Sequence, residues 1–548
     1  MLVNIELQSP DVMRTLPDGA VFADFGKAAF GRLEVAVNCQ EACTIELCIG
    51  EVVNAAGSIE REPGGFRCFK VMEKELQAGD NRFFMEIPKH RSPYQKTYQR
   101  SKVLTPENIG GEIAPFRYAE LRGGKFQNLQ FTRHAVFGEF DDNAAHFECS
   151  DERLNRVWEF CKYSMKATSC FGIYVDGERE RQAFEGDFYI NALGAYCTGG
   201  GYEIARRTLG FMIEYYPIPA LEYRLITPRL VRDYMLYSGD EISLQFWQKT
   251  LPERLCKQYC NSSGLIENPQ FIDIADYRAE IPYQYFPLFQ DPMQLLVDWP
   301  PNERDNYDYG PVNFVSNVFY YDALRNLAQL LPQSNYGSEA QTIYRKMQAE
   351  FRNADGSWKD HTRSSHMALH TAVLALALDL APAEDVPGLA EFIKSKGMQC
   401  SVYMAQFLLD ACFKARQGKY AIDLMRSEDE RSWLNMIAQG STVSMEAWSN
   451  SLKPNQDWNH AWGAAPANVI PRRLAGIRPI ANGFKKFVID PQPGDLKEFV
   501  MRHPSPQGEI KLEYSSQTMR LTVPEGTEAV CGNKLYQSGT HTIKPDTV

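Results

Sequence analysis

The chain has 548 residues, 44% hydrophobic and 23% charged, which excludes both a disordered protein and a single small domain and points to two to four globular domains. Its 58 basic and 69 acidic residues leave a net charge of −11, which argues against nucleic acid or an anionic membrane as partner. Thirteen cysteines without a repeated short spacing read as free thiols, and nine histidines show no HExxH and no zinc-type cluster, so neither metal nor cofactor is expected.

The start, Met1-Leu-Val-Asn-Ile-Glu-Leu7, has no basic region followed by an apolar core, and no run of about 18 apolar residues occurs anywhere. A cytoplasmic protein is expected, or a periplasmic or secreted one if a leader has been removed. No dinucleotide fingerprint, Walker loop or nucleophile elbow is present.

Residues 1–148 read as β. Phe22–Gly26, Arg32–Val37, Thr44–Cys48, Phe83–Ile87, Phe116–Leu121 and His134–Phe140 are short alternating runs separated by Gly, Asp and Asn, the pattern of a sandwich. Such a module beside an enzyme binds carbohydrate or serves for packing, and packing is the expectation here. At Cys149-Ser-Asp151 the period changes. Leu154, Val157, Trp158, Cys161 and Met165 fall at helical spacing behind a capping Ser150 or Asp151.

Behind the apolar run Phe171–Val175, five carboxylates and two arginines crowd into the twelve residues Asp176-Gly-Glu-Arg-Glu-Arg-Gln-Ala-Phe-Glu-Gly-Asp187. Carboxylates raise one another's pKa and interleaved arginines lower it, so one acid can stay protonated beside others that ionise. Glycoside hydrolysis needs that split. The competing reading is a buried ion network that fixes a loop.

Helices are then expected over 205–215, 242–260, 313–331, 338–351, 367–380, 402–415 and from Tyr420 onward, with Cys256 and Cys260 sharing a helix face. Many antiparallel helices without a 34-residue repeat fit an α/α toroid, whose loops form a cup at one end. Three loops carry informative residues. Asp298-Trp299-Pro-Pro301 opens an aromatic and acidic wall; Gly440–Trp448 places Glu446 as a base candidate two positions before Trp448; Asp457-Trp458-Asn-His460-Ala-Trp462 sets a histidine between tryptophans.

These residues resemble the α-L-rhamnosidases of glycoside hydrolase family 78 over nearly the whole chain. Phe22–Gly26 and Phe116–Leu121 resemble the family's sandwich strands, and Ser150–Trp158 resembles the start of its (α/α)6 barrel. Asp176, Glu180 and Asp187 stand at the places of its acidic motif, Gly440–Trp448 resembles the segment bearing its base, and Ile489–Gly494 with Gly508–Leu512 is similar to its C-terminal β-domain. The resemblance implies an N-terminal β-sandwich over 1–148, a catalytic (α/α)6 barrel over 149–472 and a C-terminal sandwich-like β-domain over 473–548. It further implies an inverting exo-hydrolase releasing terminal α-L-rhamnose, with Glu180 as general acid and Glu446 as general base. Asp176 and Asp187 would hold sugar hydroxyls, Trp299 and His460 would line the pocket, and Arg181, Phe184, Trp448 and Trp458 would complete the substrate contacts.

The chain departs from the family pattern at Phe184, where a tryptophan is common, and at Glu178 and Glu185, which add acids able to compete for the donor role. Arg179 and Arg181 are both placed to set the charge of the cluster. The expected partner is a carbohydrate, a rhamnoside of small size, and a homodimer is allowed. Alternatives are a related barrel glycosidase or lyase acting on another deoxy sugar or a uronate, and a non-catalytic sugar-binding protein.

Overall fold

The computed structural model describes residues 3–91, 105–214, 220–267 and 296–544. Eight strands come first: β1 (Val3–Gln8), β2 (Val12–Thr15), β3 (Val21–Cys39), β4 (Cys43–Gly50), β5 (Phe69–Leu76), β6 (Gly79–Phe84), β7 (Ala114–Arg122) and β8 (Phe126–Gly138). They pair antiparallel in the order β1-β8-β3-β7-β4-β5, with β2 and β6 also on β3. Phe22–Gly26 and Arg32–Val37 turn out to be two halves of one 19-residue strand. Its register shifts between Asp24 and Ala29, around Gly26 at φ 75°, so the first half pairs β2 and β7 and the second pairs β6 and β8. Leu33, Val35, Ile45, Leu47, Phe116 and Phe131 form a core of their own inside this sheet.

The helices are α1 (Glu152–Ala167), α2 (Glu185–Thr198), α3 (Tyr202–Glu214), α4 (Leu221–Ser238), α5 (Glu241–Trp247), α6 (Phe314–Leu330), α7 (Tyr336–Phe351), α8 (Leu369–Ala377), α9 (Val386–Lys396), α10 (Met404–Lys414), α11 (Gly418–Met425), α12 (Trp433–Ala438) and α13 (Pro466–Val469). Asp151 caps α1 by accepting from Arg153 N. Helices α2, α4, α6, α8, α10 and α13 touch in turn, and α13 returns to α2, so the contacts close a ring. Every residue of α2 and of α8 is buried, whereas α7 buries only Ala340, Ile343, Met347 and Phe351. Ring helices covered on all sides carry no apolar stripe, and those outside carry one.

One expected helix breaks. The segment 242–260 holds α5 only to Trp247, followed by 3-10 turns over Leu251–Leu255 and Lys257–Tyr259. Pro252 removes a backbone donor and Cys256 takes a left-handed conformation at φ 52°, so Cys256 and Cys260 share no helix face. The helix expected over 205–215 begins earlier, at Tyr202; Tyr215 lies outside the described residues.

Strand β9 (His146–Cys149), just ahead of α1, pairs with a strand from the far end of the chain. After α13 come β10 (Ile477–Pro479), β11 (Lys486–Ile489), β12 (Glu498–His503), β13 (Ile510–Ser515), β14 (Met519–Val523), β15 (Glu528–Cys531), β16 (Lys534–Tyr536) and β17 (Gly539–Ile543). One sheet runs β10-β11-β15-β16 and the other β17-β14-β13-β12-β9. Phe147, Trp158, Phe499 and Met501 belong to one core that continues through the helical ring. Among the described residues no helix is long and apolar enough to cross a membrane.

Candidate active site

The acidic segment folds into a loop closed on itself. Asp176 N donates to Gln182 O (2.8 Å), Gln182 N donates to Asp176 Oδ1 (2.7 Å), and Arg181 sits at the left-handed corner with φ 54°. Phe184 then precedes α2, whose first turn carries Glu185 and Asp187, where carboxylates suit the positive end of the helix. Gly177 is required by close approach, since a Cβ there would lie 2.6 Å from Asp457 Oδ2 and 3.1 Å from the Asn459 carbonyl. Glu178 N donates to Asn459 Oδ1 (2.8 Å), which ties the acidic loop to the 457–460 segment.

That second segment is itself laced to the strip before it. His460 N donates to Ser444 O (2.9 Å), Glu446 N to Asp457 O (3.3 Å), and Trp462 Nε1 to Glu446 O (3.0 Å). Glu446 and His460 are thereby held side by side. Arg179 joins the two halves: its Nε donates to Glu180 Oε1 (3.0 Å) and its Nη1 to Glu446 Oε2 (2.6 Å), across 267 residues of sequence. Lys453 Nζ stands 3.2 Å from the other Glu446 oxygen. The side chain of Glu180 is 10% exposed and that of Glu446 1%, so the pair is nearly enclosed.

Burial would raise the Glu180 carboxyl, but Arg179 beside it, its contact with Asp176 and the charge of His460 bring it below its ordinary value. Asp176 goes the other way: burial first, and then the Glu180 charge in contact with it, push its carboxyl well up. Burial would lower the His460 imidazole, yet Asp187 Oδ1 at 2.8 Å from Nε2 and Asp457 Oδ1 at 3.1 Å from Nδ1 raise it well above its usual value. It therefore stands as an imidazolium between two carboxylates. Asp457, which burial would raise, is lowered by His460 and Arg179.

The other expected contacts divide. Arg181 does not reach Glu180 or Glu446 by any hydrogen bond among the described residues; it donates to Glu178 (2.9 Å), Glu112 (2.9 Å) and the Ile113 carbonyl (3.1 Å), pinning the loop to the start of β7. Trp448 is buried, donates its indole N–H to the Cys400 carbonyl (2.7 Å) and packs edge-on against Trp433, which makes it core. Phe184 is half-buried against the helical core. Trp299 is half-buried with Lys453 Nζ 6.0 Å from its ring, and Arg67 lies 5.7 Å over the ring of Trp458. Glu178 is committed to Arg181, and Glu185 is a buried acid whose two oxygens have no hydrogen-bond partner among the described residues, pushed by burial up to about 7.

Residues not expected at the site are Asp457, Lys453, Asn459 and, from the N-terminal sheet, Glu51 and Phe66. Asn459 Nδ2 donates to Glu51 Oε1 (3.2 Å), and the Arg179 guanidinium lies 5.7 Å from the Phe66 ring. Only Asp457, inside a tryptophan-rich run, carried a sequence signal. Among the described residues, the set able to hold a metal ion is Glu446, Asp457 and His460, with ligand atoms within 4.8 Å of one another. Arg179 and Lys453 already supply two cations at Glu446, and Asp187 takes the other His460 nitrogen. Two surface clefts lie elsewhere, one of about 400 Å³ beside Phe211 and Phe246 and one of about 630 Å³ on the face of the C-terminal sheet at Glu498 and Tyr514.

A family model described as bacterial alpha-L-rhamnosidase 6 hairpin glycosidase domain matches residues 142–474, and one described as bacterial alpha-L-rhamnosidase C-terminal domain matches 476–532. No curated protein matches the chain. Among solved structures it is similar to the α-L-rhamnosidase of Aspergillus terreus, at 17% identity and a TM-score of 0.76 over 99% of this chain and 64% of that one. It is also similar to the Streptomyces avermitilis α-L-rhamnosidase complexed with L-rhamnose, at 15% identity and a TM-score of 0.75 over 96% of this chain and 50% of that one. For the rhamnosidase from Klebsiella oxytoca with rhamnose bound, the values are 13%, 0.63, 86% and 96%. The chain thus spans half to two thirds of the length of the first two, and at these identities the likeness is one of fold. Because the first family model covers more than half of the chain and the second follows it directly, the chain belongs to the bacterial α-L-rhamnosidases.

Proposed function

We propose that the chain is an inverting, exo-acting glycoside hydrolase that removes terminal α-L-rhamnose from small glycosides or oligosaccharides, with Glu180 as general acid and Glu446 as general base. The observation that carries this reading is Arg179, which holds one of these carboxylates on each side of a single guanidinium. A guanidinium with a hydrogen bond at either end fits between carboxylates at the roughly 6.5–9.5 Å spacing that inversion uses to admit a water. Glu446 takes a proton from that water as it attacks the anomeric carbon, and Glu180 protonates the departing oxygen. The L-rhamnose bound to the Streptomyces enzyme and the rhamnose bound to the Klebsiella enzyme support rhamnose as the sugar. His460, charged and held from both sides, fixes Asp187, which is suited to hold a sugar hydroxyl.

On this reading the closed ring of helices is the inner layer of an (α/α)6 barrel over 149–472, between a β-sandwich over 1–148 and a sandwich-like β-domain over 473–548. The cycle of contacts from α2 round to α13 supports the barrel. Glu180→Gln and Glu446→Gln should each lower kcat on an unactivated rhamnoside by about 10²–10⁴-fold, read on protein that circular dichroism shows to be folded. Full turnover in either variant contradicts the assignment.

A further inference from the structure

We infer that Glu51, from the N-terminal sheet, is a positioning residue for the general acid: through the side-chain amide of Asn459 it fixes the loop that carries Glu180. The inference rests on the role proposed above for Glu180, and it gives the N-terminal sheet a part in catalysis beyond packing.

Glu51 follows β4 directly and is clipped twice to Cys68: its N–H donates to the Cys68 carbonyl (3.1 Å), and its Oε2 accepts from Cys68 N (2.7 Å). Its other oxygen, Oε1, accepts from Asn459 Nδ2 (3.2 Å). The same amide turns its oxygen to the acidic loop, where Asn459 Oδ1 accepts from Glu178 N (2.8 Å), two residues before Glu180. Glu51, Asn459 and Glu178 are 4%, 2% and 8% exposed, so a partner lost at any of them is not readily replaced by water.

Donor and acceptor chemistry dictates how the amide sits. Glu178 N can only donate, so Asn459 must offer it the carbonyl oxygen, and the amide N–H groups then face the sheet, where they need an acceptor. A carboxylate gives one oxygen to that amide and the other to Cys68 N; a glutamine of the same shape cannot, since one of its two polar atoms donates. The fit is close, because a Cβ on Gly177 would lie 3.1 Å from both Asn459 Oδ1 and the Asn459 carbonyl oxygen. If the amide turns over, its N–H groups meet the Glu178 N–H and the loop lifts. Glu180 then moves relative to Glu446, which is tied to the neighbouring strip through its N–H to the Asp457 carbonyl (3.3 Å). A displacement of about 1 Å in a catalytic group is enough to lower the rate on the order of 10²-fold. His460 keeps its backbone bond to Ser444 and both of its carboxylates, so sugar binding is unaffected by this turn.

The test is a swap. Glu51→Gln sets an amide against the Asn459 amide or against Cys68 N, and Asn459→Asp sets a carboxylate against Glu51, so each single variant breaks the chain of bonds. Made together, the two substitutions rebuild it with donor and acceptor exchanged and the charge unchanged: the new amide accepts from Cys68 N and donates to the new carboxylate, which accepts from Glu178 N. On aryl α-L-rhamnosides whose phenols run from 2,4-dinitrophenol to phenol, each single variant should lose less than about tenfold in kcat on the dinitrophenyl compound, which leaves with little help. The loss should grow to about 10²-fold on the phenyl compound, with KM within about threefold of wild type. The swapped pair should return to within about tenfold of the wild-type phenyl rate, and it decides the matter even where a single variant does not fold. Single variants with undiminished phenyl turnover, losses equal across the series, or a swapped pair that is unfolded or no faster than the single variants overturn the inference. Wild-type release of rhamnose from the same compounds tests the rhamnosidase reading by itself. Glu180→Gln run alongside tests the acid: a flat loss there removes that assignment and the inference with it, whereas a steep loss there beside a flat one in Glu51→Gln removes the inference alone.

Discussion

Arg179 makes a pair out of two acids that neither loop would bring together alone. Replacing it with alanine removes the cation that holds Glu180 down, so the limb of the kcat/KM profile governed by the acid should move to higher pH by about one unit or more, and by less in Arg179→Lys. A second residue tests the electrostatics without touching the chemistry. Glu185 has no hydrogen-bond partner for either oxygen among the described residues and is pushed by burial up to about 7, so the folded state holds its proton where the unfolded chain has lost it. Its contribution to stability is therefore complete below the ordinary glutamate value and is lost as pH rises through about 7. Glu185→Gln should consequently gain roughly 2–3 kcal/mol relative to wild type between pH 5 and pH 8, read from urea melts at both. Residue types alone marked the 176–187 cluster, Glu446 and His460, since charges enclosed by aromatic runs are unusual, and within the cluster Glu180 was singled out only by the family resemblance. They could not separate Arg179 from Arg181, because neighbouring side chains on an irregular loop point different ways.

Among elements, the loop between β4 and β5 has a place in the site that its sequence did not announce. Phe66 N donates to the Gln456 carbonyl (3.2 Å) and Arg67 Nη1 to Asn450 Oδ1 (2.7 Å), while a Cβ on Gly65 would lie 2.7 Å from the Pro454 carbonyl oxygen and 2.8 Å from that of Gln456. Gly65 also has φ 55°. Gly65→Ala meets rigid backbone in a conformation that disfavours a side chain, so it should destabilise by about 1–3 kcal/mol and lower kcat/KM by displacing the segment that carries Asp457 and His460. A variant with wild-type melting and wild-type kcat/KM would show that this docking is dispensable. Helix periodicity was legible where one face meets solvent, as in α1 and α7, and silent in α2, whose burial on all sides leaves no stripe. Helix α4 was silent for the same reason and for Pro228 within it.

Across the whole molecule, the strand just ahead of the helices joins the last sheet. Strand β9 lies next to β12, with Phe499 opposite Cys149 and Met501 opposite Phe147, and Phe147 packs 5.8 Å from Trp158 of α1. The helical ring therefore shares its core with the last sheet. A chain ending at residue 475 should fail to give a cooperative melt, since it exposes Phe147, Trp158 and the ring side of that core; a truncated protein melting within a few degrees of full length would show the two parts to be independent. The change of period at Cys149 was legible because strands and helices repeat differently, whereas the pairing of β9 with β12 was not, because nothing local specifies a partner some 350 residues away. The most direct test of two carboxylates acting from opposite sides of the sugar is proton NMR of the first product formed from an aryl α-L-rhamnoside. The account predicts β-L-rhamnose first, with the α anomer appearing only through mutarotation; α-L-rhamnose as the first product would contradict it.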